Sequence, residues 1–597
     1  MMVSILGKGA AGKPERQIMQ LLRTTALVAC AAMAVIVSGA AVSAQGVSEG
    51  SPFGNLEIGA VTVRIVNPSA DAAINSRAED AVRRALSLYP GARFSEQGMD
   101  FALGTARRAA GVANIDYDAA PGATGNVDLT INVTLADGAR AAEGRGYALT
   151  GDSKDFPLIY DRNGTMLKFR LDALALYYAN NNAWYGRPDL MLNGNPLVNG
   201  TPSGKGYDDW VEGYLHYGLY GITPIHSNLY LYGGVSAITA GSYGQELFTD
   251  KTRSHTFFED AYVGIVGGNT DEQGNRLSYN LTAGRQRFTL ANAFLIANTA
   301  ANGEERAALQ ANARWSSDLL VLGQLSYNDT RFEAFYVDPD ELPTLDTKTR
   351  IAGVNLETKP FDGFKFGASY LTVPQSRSNY FGPTGTIIGT RDGLELIDAR
   401  FTYQPNPSNV AGPFFGGEIA RQTNRNFDMD ARAGWVELGY SLPQAKWSPS
   451  VSYRISYFSG DDPTTSTYER WDPLLSGGNG EQWVQGANHF KVVQDSNVIA
   501  HRIQARLKVA PRVEIVPQLW AFKADQLNNI GGNPALSFLS DHDYGYEANV
   551  TVKWFKSKNT YVHGHIAYTV PGDAVKSALG GSAKDWLSAM VFVRYAF

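Results

Sequence analysis

The sequence predicts an all-β transmembrane barrel of about 18 antiparallel strands, preceded by a small α/β domain with the element order β-α-α-β-β. Three observations support this prediction. Residues 165–597 divide into short segments in which polar and apolar residues alternate, the gaps between these segments are alternately short and long, and the chain ends on the aromatic residue Phe597. Short turns at one end and long loops at the other are typical of outer-membrane barrels.

The first 44 residues have the organisation of a secretory signal peptide. An apolar stretch at residues 24–42 follows Arg23, and small residues precede an expected cleavage site after Ala44. Cys30, the only cysteine, lies in the sequence LVAC, which is similar to a lipoprotein box. Because the apolar stretch continues beyond Cys30, we favour cleavage after Ala44 over lipidation. The mature chain would then be exported and contain no cysteine.

Residues 56–136 predict a separate small domain. A β-branched strand pattern at 60–66 is followed by helical patterns at 76–89 and 95–111, and then by the strand patterns ANIDYDA and VDLTINVTL. This order, together with PGARFSEQGMDFALGTAR, resembles a POTRA domain. The resemblance implies a periplasmic protein partner bound by strand addition at a sheet edge. A periplasmic spacer or partial plug is an equally good interpretation, and we expect residues 137–164 to be a linker or a plug.

The barrel is predicted over residues 165–597, and the gaps give its orientation. Short gaps such as Asn328-Asp329 and Ala510-Pro511 predict periplasmic turns, and long gaps such as 289–317 and 460–497 predict outer loops. We expect the loop 289–317 either to fold into the pore as a constriction or to cover its outer side. The predicted strands are 166–180, 208–220, 225–241, 257–267, 274–288, 318–327, 330–338, 349–358, 363–373, 393–404, 411–422, 430–441, 449–459, 498–508, 512–523, 543–555, 560–570 and 585–597.

Composition and charge argue against several other functions. The 52 basic and 58 acidic residues give a net charge of −6 at pH 7, so we expect no nucleic-acid partner. No nucleophile lies beside a base, so we expect neither enzymatic activity nor a cofactor. His563 and His565 share one strand face, but without a third ligand we interpret them as ordinary interior residues rather than a metal site.

Three stretches of the barrel resemble the alginate-export family of outer-membrane barrels. They are LTAGRQRFTLANAFLI at 281–296, YFSGDDPTTSTYERWDPLL at 457–475, and the C-terminal segment 545–597 that ends in MVFVRYAF. The resemblance covers roughly residues 165–597 and excludes the N-terminal domain. It implies an 18-stranded barrel that carries anionic polysaccharide or other solutes through a charged pore.

The inward faces predicted for the strands carry more basic than acidic residues. Rings of charged side chains select solutes in wide pores, so a basic lining favours anions. Opposite charges on the lining, such as Asp398 and Arg400, could equally neutralise each other. The candidate pore-lining residues are Lys168, Arg170, Asp172, Asp398, Arg400, Arg454, Arg502, Arg506, Lys508 and Arg594.

Together these observations predict an outer-membrane channel of a Gram-negative bacterium, surrounded by lipid, with its N-terminal domain in the periplasm. The leading hypothesis is export or passage of anionic polysaccharide or other anionic solutes. One alternative is a POTRA-barrel transporter that secretes or assembles polypeptides, although the Val-Arg-Gly-Tyr type of motif usual in that class is not found in the sequence. Another alternative is a general nutrient porin.

Overall fold

A computed structural model describes most of the chain beyond residue 51. The described residues are 52–54, 56–86, 93–107, 111–122, 125–135, 157–162, 164–183, 207–226, 228–244, 253–301, 306, 310–405, 410–476, 488, 493, 495–533, 536–578 and 583–597. The predicted signal peptide at 1–44 and residues 137–156 of the predicted linker lie outside them. Among the described residues, no helix combines the length and the apolar character needed to cross a membrane.

The N-terminal region is a small α/β unit with the predicted order β-α-α-β-β. Side-chain oxygens of Asp71 and Ser95 cap its two helices by accepting hydrogen bonds from backbone amides of the first turn. The central strand is parallel to the first and antiparallel to the second, and its buried face, including Ile131, belongs to the apolar core. The elements are β1 (Ile58–Ile65), α1 (Ala72–Ala85), α2 (Glu96–Ala106), β2 (Val112–Pro121) and the central β3 (Val127–Leu135).

The remainder of the chain forms a closed barrel of 18 antiparallel strands, as predicted. A short strand, β4 (Leu158–Arg162), pairs with the first strand of the wall, and the last strand also pairs with that first strand and closes the cylinder. The first nine strands of the wall are β5 (Thr165–Asn181), β6 (Tyr207–His226), β7 (Leu229–Gly244), β8 (Ser254–Thr270), β9 (Arg276–Arg285), β10 (Leu319–Tyr327), β11 (Thr330–Asp338), β12 (Arg350–Phe361) and β13 (Phe364–Gln375).

A two-stranded hairpin, β14 (Asn379–Phe381) and β15 (Ile387–Thr390), then interrupts the wall within a loop. A short helix of six residues, α3 (Asp573–Ala578), lies in the last loop. Neither element was predicted, because each is too short to set up a recognisable periodicity. The other nine wall strands are β16 (Leu394–Tyr403), β17 (Gly412–Asn424), β18 (Ala431–Ser441), β19 (Ser450–Phe458), β20 (Val498–Ala510), β21 (Val513–Lys523), β22 (Asp543–Trp554), β23 (Thr560–Pro571) and β24 (Trp586–Ala596).

The two faces of the wall differ in chemistry. On β19, Tyr453 and Ile455 point outward and are 44% and 36% exposed, whereas Arg454 between them points inward and is 4% exposed. Large apolar side chains are exposed on the outer face of strands all round the barrel. Because successive side chains of a strand point to opposite faces, one alternating sequence supplies both a lipid-facing surface and a polar interior.

Candidate functional site: the barrel interior and its periplasmic mouth

The ten candidate residues lie on the inner face of the wall. Asp172, Asp398, Arg400, Arg454, Arg502 and Arg594 are buried, and Lys168, Arg170, Arg506 and Lys508 are partly buried. They form three groups: one on the wall at β13 and β16, one on β19 and β20, and one at the end of the barrel that carries the short turns. The structure brings members of each group into contact.

The first group is a local network around Arg400. Its guanidinium donates hydrogen bonds to Asp398 at 3.0 Å and to Ser369 at 2.9 Å, and it lies 3.5 Å from the Glu357 carboxylate. Arg400 therefore has two acidic neighbours within 4 Å. The charges at Asp398 and Arg400 compensate each other locally.

The second group lies on β18 to β21. Arg502 donates to Glu437 at 2.7 Å, and Arg454 lies 3.8 Å from the other oxygen of the same carboxylate. Arg506 donates to Glu514 at 2.8 Å. Of these five side chains, three are basic and two are acidic.

The long loop between β9 and β10 lies inside the barrel. Phe294 of this loop is 1% exposed and packs 5.5 Å from Phe458 and 6.4 Å from Trp471, measured between ring centroids. The Asn292 amide donates to Glu418 of β17 at 2.6 Å, six strands further round the wall. Of the two positions considered for loop 289–317, its described residues therefore occupy the inner one.

Buried acids that the sequence did not single out anchor this loop. Glu212 accepts hydrogen bonds from the backbone amides of Gln310 and Ala311 at 2.6–2.9 Å. Glu259 accepts from the amides of Trp315 and Ser316 at 2.8 and 2.9 Å. Carboxylates that accept from backbone amides hold a loop strongly, because charge-assisted hydrogen bonds are stronger than neutral ones.

A bulge explains why part of this anchor escaped prediction. The pairing of β7 with β8 shifts register between Val235 and Ala237, so that Glu259 and Asp260 are both buried although they are adjacent. A bulge places two residues opposite one and breaks the alternation of faces. No bulge affects Glu212, which lies on the inner face of β6 together with Trp210. The alternation of inward and outward residues along β6 would therefore have predicted that Glu212 faces the interior.

Asp340, in the outer loop after β11, holds three arginines around the inserted loop. Its carboxylate lies 2.6 Å from Arg285, 3.0 Å from Arg306 and 2.8 Å from Arg314. Burial alone would raise the pKa of the Asp340 carboxyl, but the charges of Arg314 and Arg285 lower the pKa to about 2. The cluster is thus ionised throughout the physiological pH range.

The third group lies at the periplasmic mouth, where the N-terminal domain contacts the barrel. On β5, Lys168 lies 3.3 Å from Asp100 of α2, and Arg170 lies 3.1 Å from Glu96 and also pairs with Asp100. On β24, Arg594 forms a two-pronged ion pair with Asp172, with both distances at 2.8 Å, and lies 3.9 Å from Glu96. Helix α2 therefore presents its acidic residues to basic residues of the wall.

The same domain also reaches the opposite side of the mouth. Lys365 of β13 lies 2.6 Å from Glu57, and Arg93 lies 3.1 Å from Glu357 of β12. Strand β13 is the ninth strand of the wall and β24, which carries Arg594, is the eighteenth. Contacts on strands nine positions apart in an 18-stranded barrel lie on opposite walls, so the domain extends across the opening.

A third set of contacts involves the short turns. Lys508 of β20 donates to the backbone oxygen of Pro121 at 2.8 Å. Two further ion pairs join Arg512 to Asp118 and Lys558 to Asp116. An apolar contact accompanies them, because the rings of Phe53 and Phe555 stack with centroids 4.8 Å apart. Lys508, predicted to line the pore, thus lies beside the N-terminal domain.

Three carboxyl groups of the domain, those of Glu57, Glu96 and Asp100, have lowered pKa values in this docked position. Burial alone would raise the pKa values of Asp100 and Glu96, but Arg170 and the other nearby basic residues together hold the pKa of each below its usual value. At Glu57 burial likewise raises the pKa, and the charges of Lys365, Lys359 and Arg93 together with the Lys365 hydrogen bond lower it below its usual value. Ion pairing therefore dominates the electrostatics of the interface.

A cavity of about 1020 Å³ lies between the domain and the barrel interior. Its lining includes Lys168, Arg170 and Asp100 at the mouth and Arg287 of the inserted loop further in. The Arg287 guanidinium stacks on the Trp315 ring at 4.2 Å, and among the described residues it forms no ion pair within 4.0 Å. The cavity thus connects the basic mouth with a cation inside the barrel.

His563 and His565 lie on the inner face of β23, with their ring centroids 6.5 Å apart. His563 hydrogen-bonds to Tyr561 at 3.0 Å and His565 to Thr551 at 3.1 Å. Within the described part of the chain, no group of three or more histidine, cysteine, aspartate or glutamate residues is placed to hold a metal ion.

A family model described as "Alginate export" matches residues 237–587, which is more than half of the chain. The chain belongs to the alginate-export family. This confirms the resemblance found in the sequence, and membership together with the closed barrel identifies an outer-membrane channel of a Gram-negative bacterium. The N-terminal domain lies outside the matched residues.

Several solved structures are similar to this alginate-export protein at low sequence identity. OccK5 (OpdH) of Pseudomonas aeruginosa is 10% identical, with a TM-score of 0.44 over 72% of this chain and 98% of that chain. OccAB2 of Acinetobacter baumannii is 10% identical, with a TM-score of 0.40 over 72% and 98%. The outer membrane protein OprD from Pseudomonas aeruginosa is 12% identical, with a TM-score of 0.41 over 72% and 94%. A comparison with curated protein sequences gave no match.

Proposed function

We propose that this channel passes anionic polysaccharide, or smaller anionic solutes, and that basic side chains of its interior bind the carboxylates on the way. The observation that carries the proposal is the succession of basic residues from the mouth inward. Lys168 and Arg170 lie at the periplasmic mouth, Arg287 lines the inner part of the cavity, and Arg454 and Arg502 lie on the inner wall. Guanidinium groups bind carboxylates through paired N–H donors, and charged pore walls select solutes by sign.

The contacts at the mouth support this choice of ligand. Arg170 and Lys168 already hold carboxylates, those of Glu96 and Asp100, which come from the protein itself. Glu96 and Asp100 are one helical turn apart, so they present two carboxylates side by side. A polyuronate presents the same chemical group on every sugar unit.

The position of Arg287 supports a second binding position further in. Its guanidinium lines the cavity, lies over the Trp315 ring at 4.2 Å from the ring centroid, and donates to the His216 imidazole at 3.3 Å. When a guanidinium group lies over an aromatic ring, the N–H donors at the edge of the guanidinium plane can still form hydrogen bonds. A carboxylate that entered from the mouth would meet this cation next.

The proposal is tested by conductance of the full-length protein in planar bilayers. We expect the reversal potential to show anion selectivity. We also expect oligouronate, added on the periplasmic side, to bind and change the current. A neutral maltooligosaccharide of equal length should have no effect at the same concentrations. A cation-selective current would contradict the proposal. An unselective current would indicate a general porin, and a current that appears only with a protein client would indicate polypeptide transport.

A further inference from the structure

The interface between the N-terminal domain and the barrel is strongly polarised. Apart from the reversed pair of Arg93 with Glu357, the domain contributes acids and the barrel contributes bases. The ion pairs lie on both walls of the mouth and at its turns. The acids are Glu57, Glu96, Asp100, Asp116 and Asp118, and the bases are Lys168, Arg170, Lys359, Lys365, Arg512, Lys558 and Arg594.

We propose that the periplasmic mouth is a carboxylate-binding site, which the acidic residues of the N-terminal domain occupy until the carboxylates of an anionic polymer replace them. This inference rests on the proposed function and adds a ligand-operated closure to it. In the docked position the domain extends across the opening from the wall at β13 to the wall at β24. Entry of a polymer from the periplasm then requires the domain to leave these cations.

The composition of the interface favours exchange over permanent closure. Ring contacts across it include only a few aromatic residues, with Phe53 stacked on Phe555 and Phe101 5.5 Å from Tyr230. The side chains of Asp116 and Lys558 are 50% and 38% exposed, so water and salt screen their pair. Ion pairs that water and salt screen in this way can be competed by another polyanion more readily than apolar contacts can.

The space behind the interface gives the incoming polymer a place to bind. The cavity of about 1020 Å³ begins at Lys168 and Arg170, the same cations that hold Asp100 and Glu96. A polymer carboxylate that displaces either acid therefore stays in contact with the basic residue and already lies at the entrance of the cavity. The same exchange, in which a polymer carboxylate replaces a carboxylate of the domain at a basic residue, both binds the substrate and releases the domain.

A reversible cross-link tests whether the domain must move. Asp116→Cys with Lys558→Cys places one thiol on the domain and one on the turn between β22 and β23, and the only native cysteine, Cys30, lies in the predicted signal peptide. With a reducible bifunctional thiol reagent in place, we expect oligouronate to leave the conductance at its low basal level. Reduction should restore the response. The same double variant treated with a monofunctional reagent is the matched control and should respond throughout.

Neutralising the acids tests whether charge holds the domain. We expect Glu96→Gln with Asp100→Asn to raise the basal conductance of the full-length protein about tenfold, because four ion pairs at the mouth are lost. Glu79→Gln is the matched control, since Glu79 pairs with Arg83 within α1 and faces no barrel residue in that pair. It should leave conductance unchanged.

The outcomes separate this inference from the proposed function. If the cross-linked and reduced forms respond equally to oligouronate, the closure is refuted while anion passage stands. If the reduced form and the Glu96→Gln, Asp100→Asn variant are open but show no anion selectivity, the proposed function is refuted while the closure stands. A folded barrel in each case is verified by its heat-modifiable migration on gels.

Discussion

Most of the charged side chains discussed above have a partner of opposite sign. Removing a charge from water is costly, and a partner with good geometry offsets that cost. Arg594 is held by Asp172 and Arg400 by Asp398, so a count of basic residues on alternating positions overestimates the field that a solute experiences. The cations proposed to bind a passing solute are those at the mouth, whose acidic partners belong to the N-terminal domain, and Arg287, which lines the cavity.

Replacement of Arg287 should weaken anion binding without disturbing the barrel. We expect Arg287→Gln to reduce oligouronate affinity about five- to tenfold, which corresponds to roughly 1–1.4 kcal/mol for one charge-assisted contact. The measurement is the concentration dependence of the current change in planar bilayers. Arg421→Gln, on an exposed arginine at the end of β17, is the control and should bind like the unmodified protein. Equal affinity of both variants would contradict the role given to Arg287.

Replacement of Asp340 should release the inserted loop. In Asp340→Asn three arginines lose their shared carboxylate, and breaking a buried pair by removing one partner costs about 3–5 kcal/mol. We expect faster cleavage of loop 286–318 by trypsin and a larger conductance. Asp346→Asn, which affects only the neighbouring pair with Lys348, is the control. Protease resistance equal to that of the unmodified protein would show that the loop is held elsewhere.

At the scale of elements, the wall was predictable and the loops were not. Strand number and facing follow from local alternation, as in β19 and β22, because each strand needs one apolar and one polar face. The inward path of loop 289–317 depends on Glu212, Glu418 and other residues remote in sequence, which no local pattern reveals. The same holds for the docking of α2, whose acids gave no sign of their partners on β5.

For outward-facing residues of β22, the depth in the membrane predicts how strongly a substitution by arginine destabilises the barrel. Val550 lies in the middle of this strand and Tyr546 lies near its outer end, and both face outward. Arginine costs about 2–4 kcal/mol at the bilayer midplane and about 0–1 kcal/mol near the interface. Val550→Arg should therefore lower the folded fraction in urea titrations in lipid vesicles much more than Tyr546→Arg. Equal losses would place the membrane elsewhere on the barrel.

At the scale of the whole molecule, the ion pairs make closure depend on pH. The docked carboxyls of Asp100, Glu96 and Glu57 have lowered pKa values, so docking is stabilised above their ordinary pKa values and this stabilisation is lost as the pH falls through the lowered ones. Asp116 and Asp118 of the domain also form ion pairs, with Lys558 and Arg512 respectively. The opposing groups are Lys168, Arg170, Lys359, Lys365, Arg512, Lys558 and Arg594, and Glu357 faces Arg93.

We therefore expect the domain to separate from the barrel below about pH 4. The distance between spin labels on Asp116→Cys and Lys558→Cys, measured by electron paramagnetic resonance, should lengthen between pH 7 and pH 3. A salt concentration of about 1 M should have the same effect at pH 7, because it shortens the screening length to about 3 Å. With Glu96→Gln and Asp100→Asn also present, the long distance should already occur at pH 7. A constant distance under all conditions would contradict electrostatic docking.

The distribution of these pairs over both walls and the turns of the mouth has a consequence for the size of the molecules that can open it. A monouronate can replace one acid at a time, and the remaining pairs keep the domain in place while the lost one re-forms. An oligomer that engages one cation brings its next carboxylates to the neighbouring cations at high local concentration, so several exchanges proceed together. Chain length, and not charge alone, would then decide which molecules gain entry.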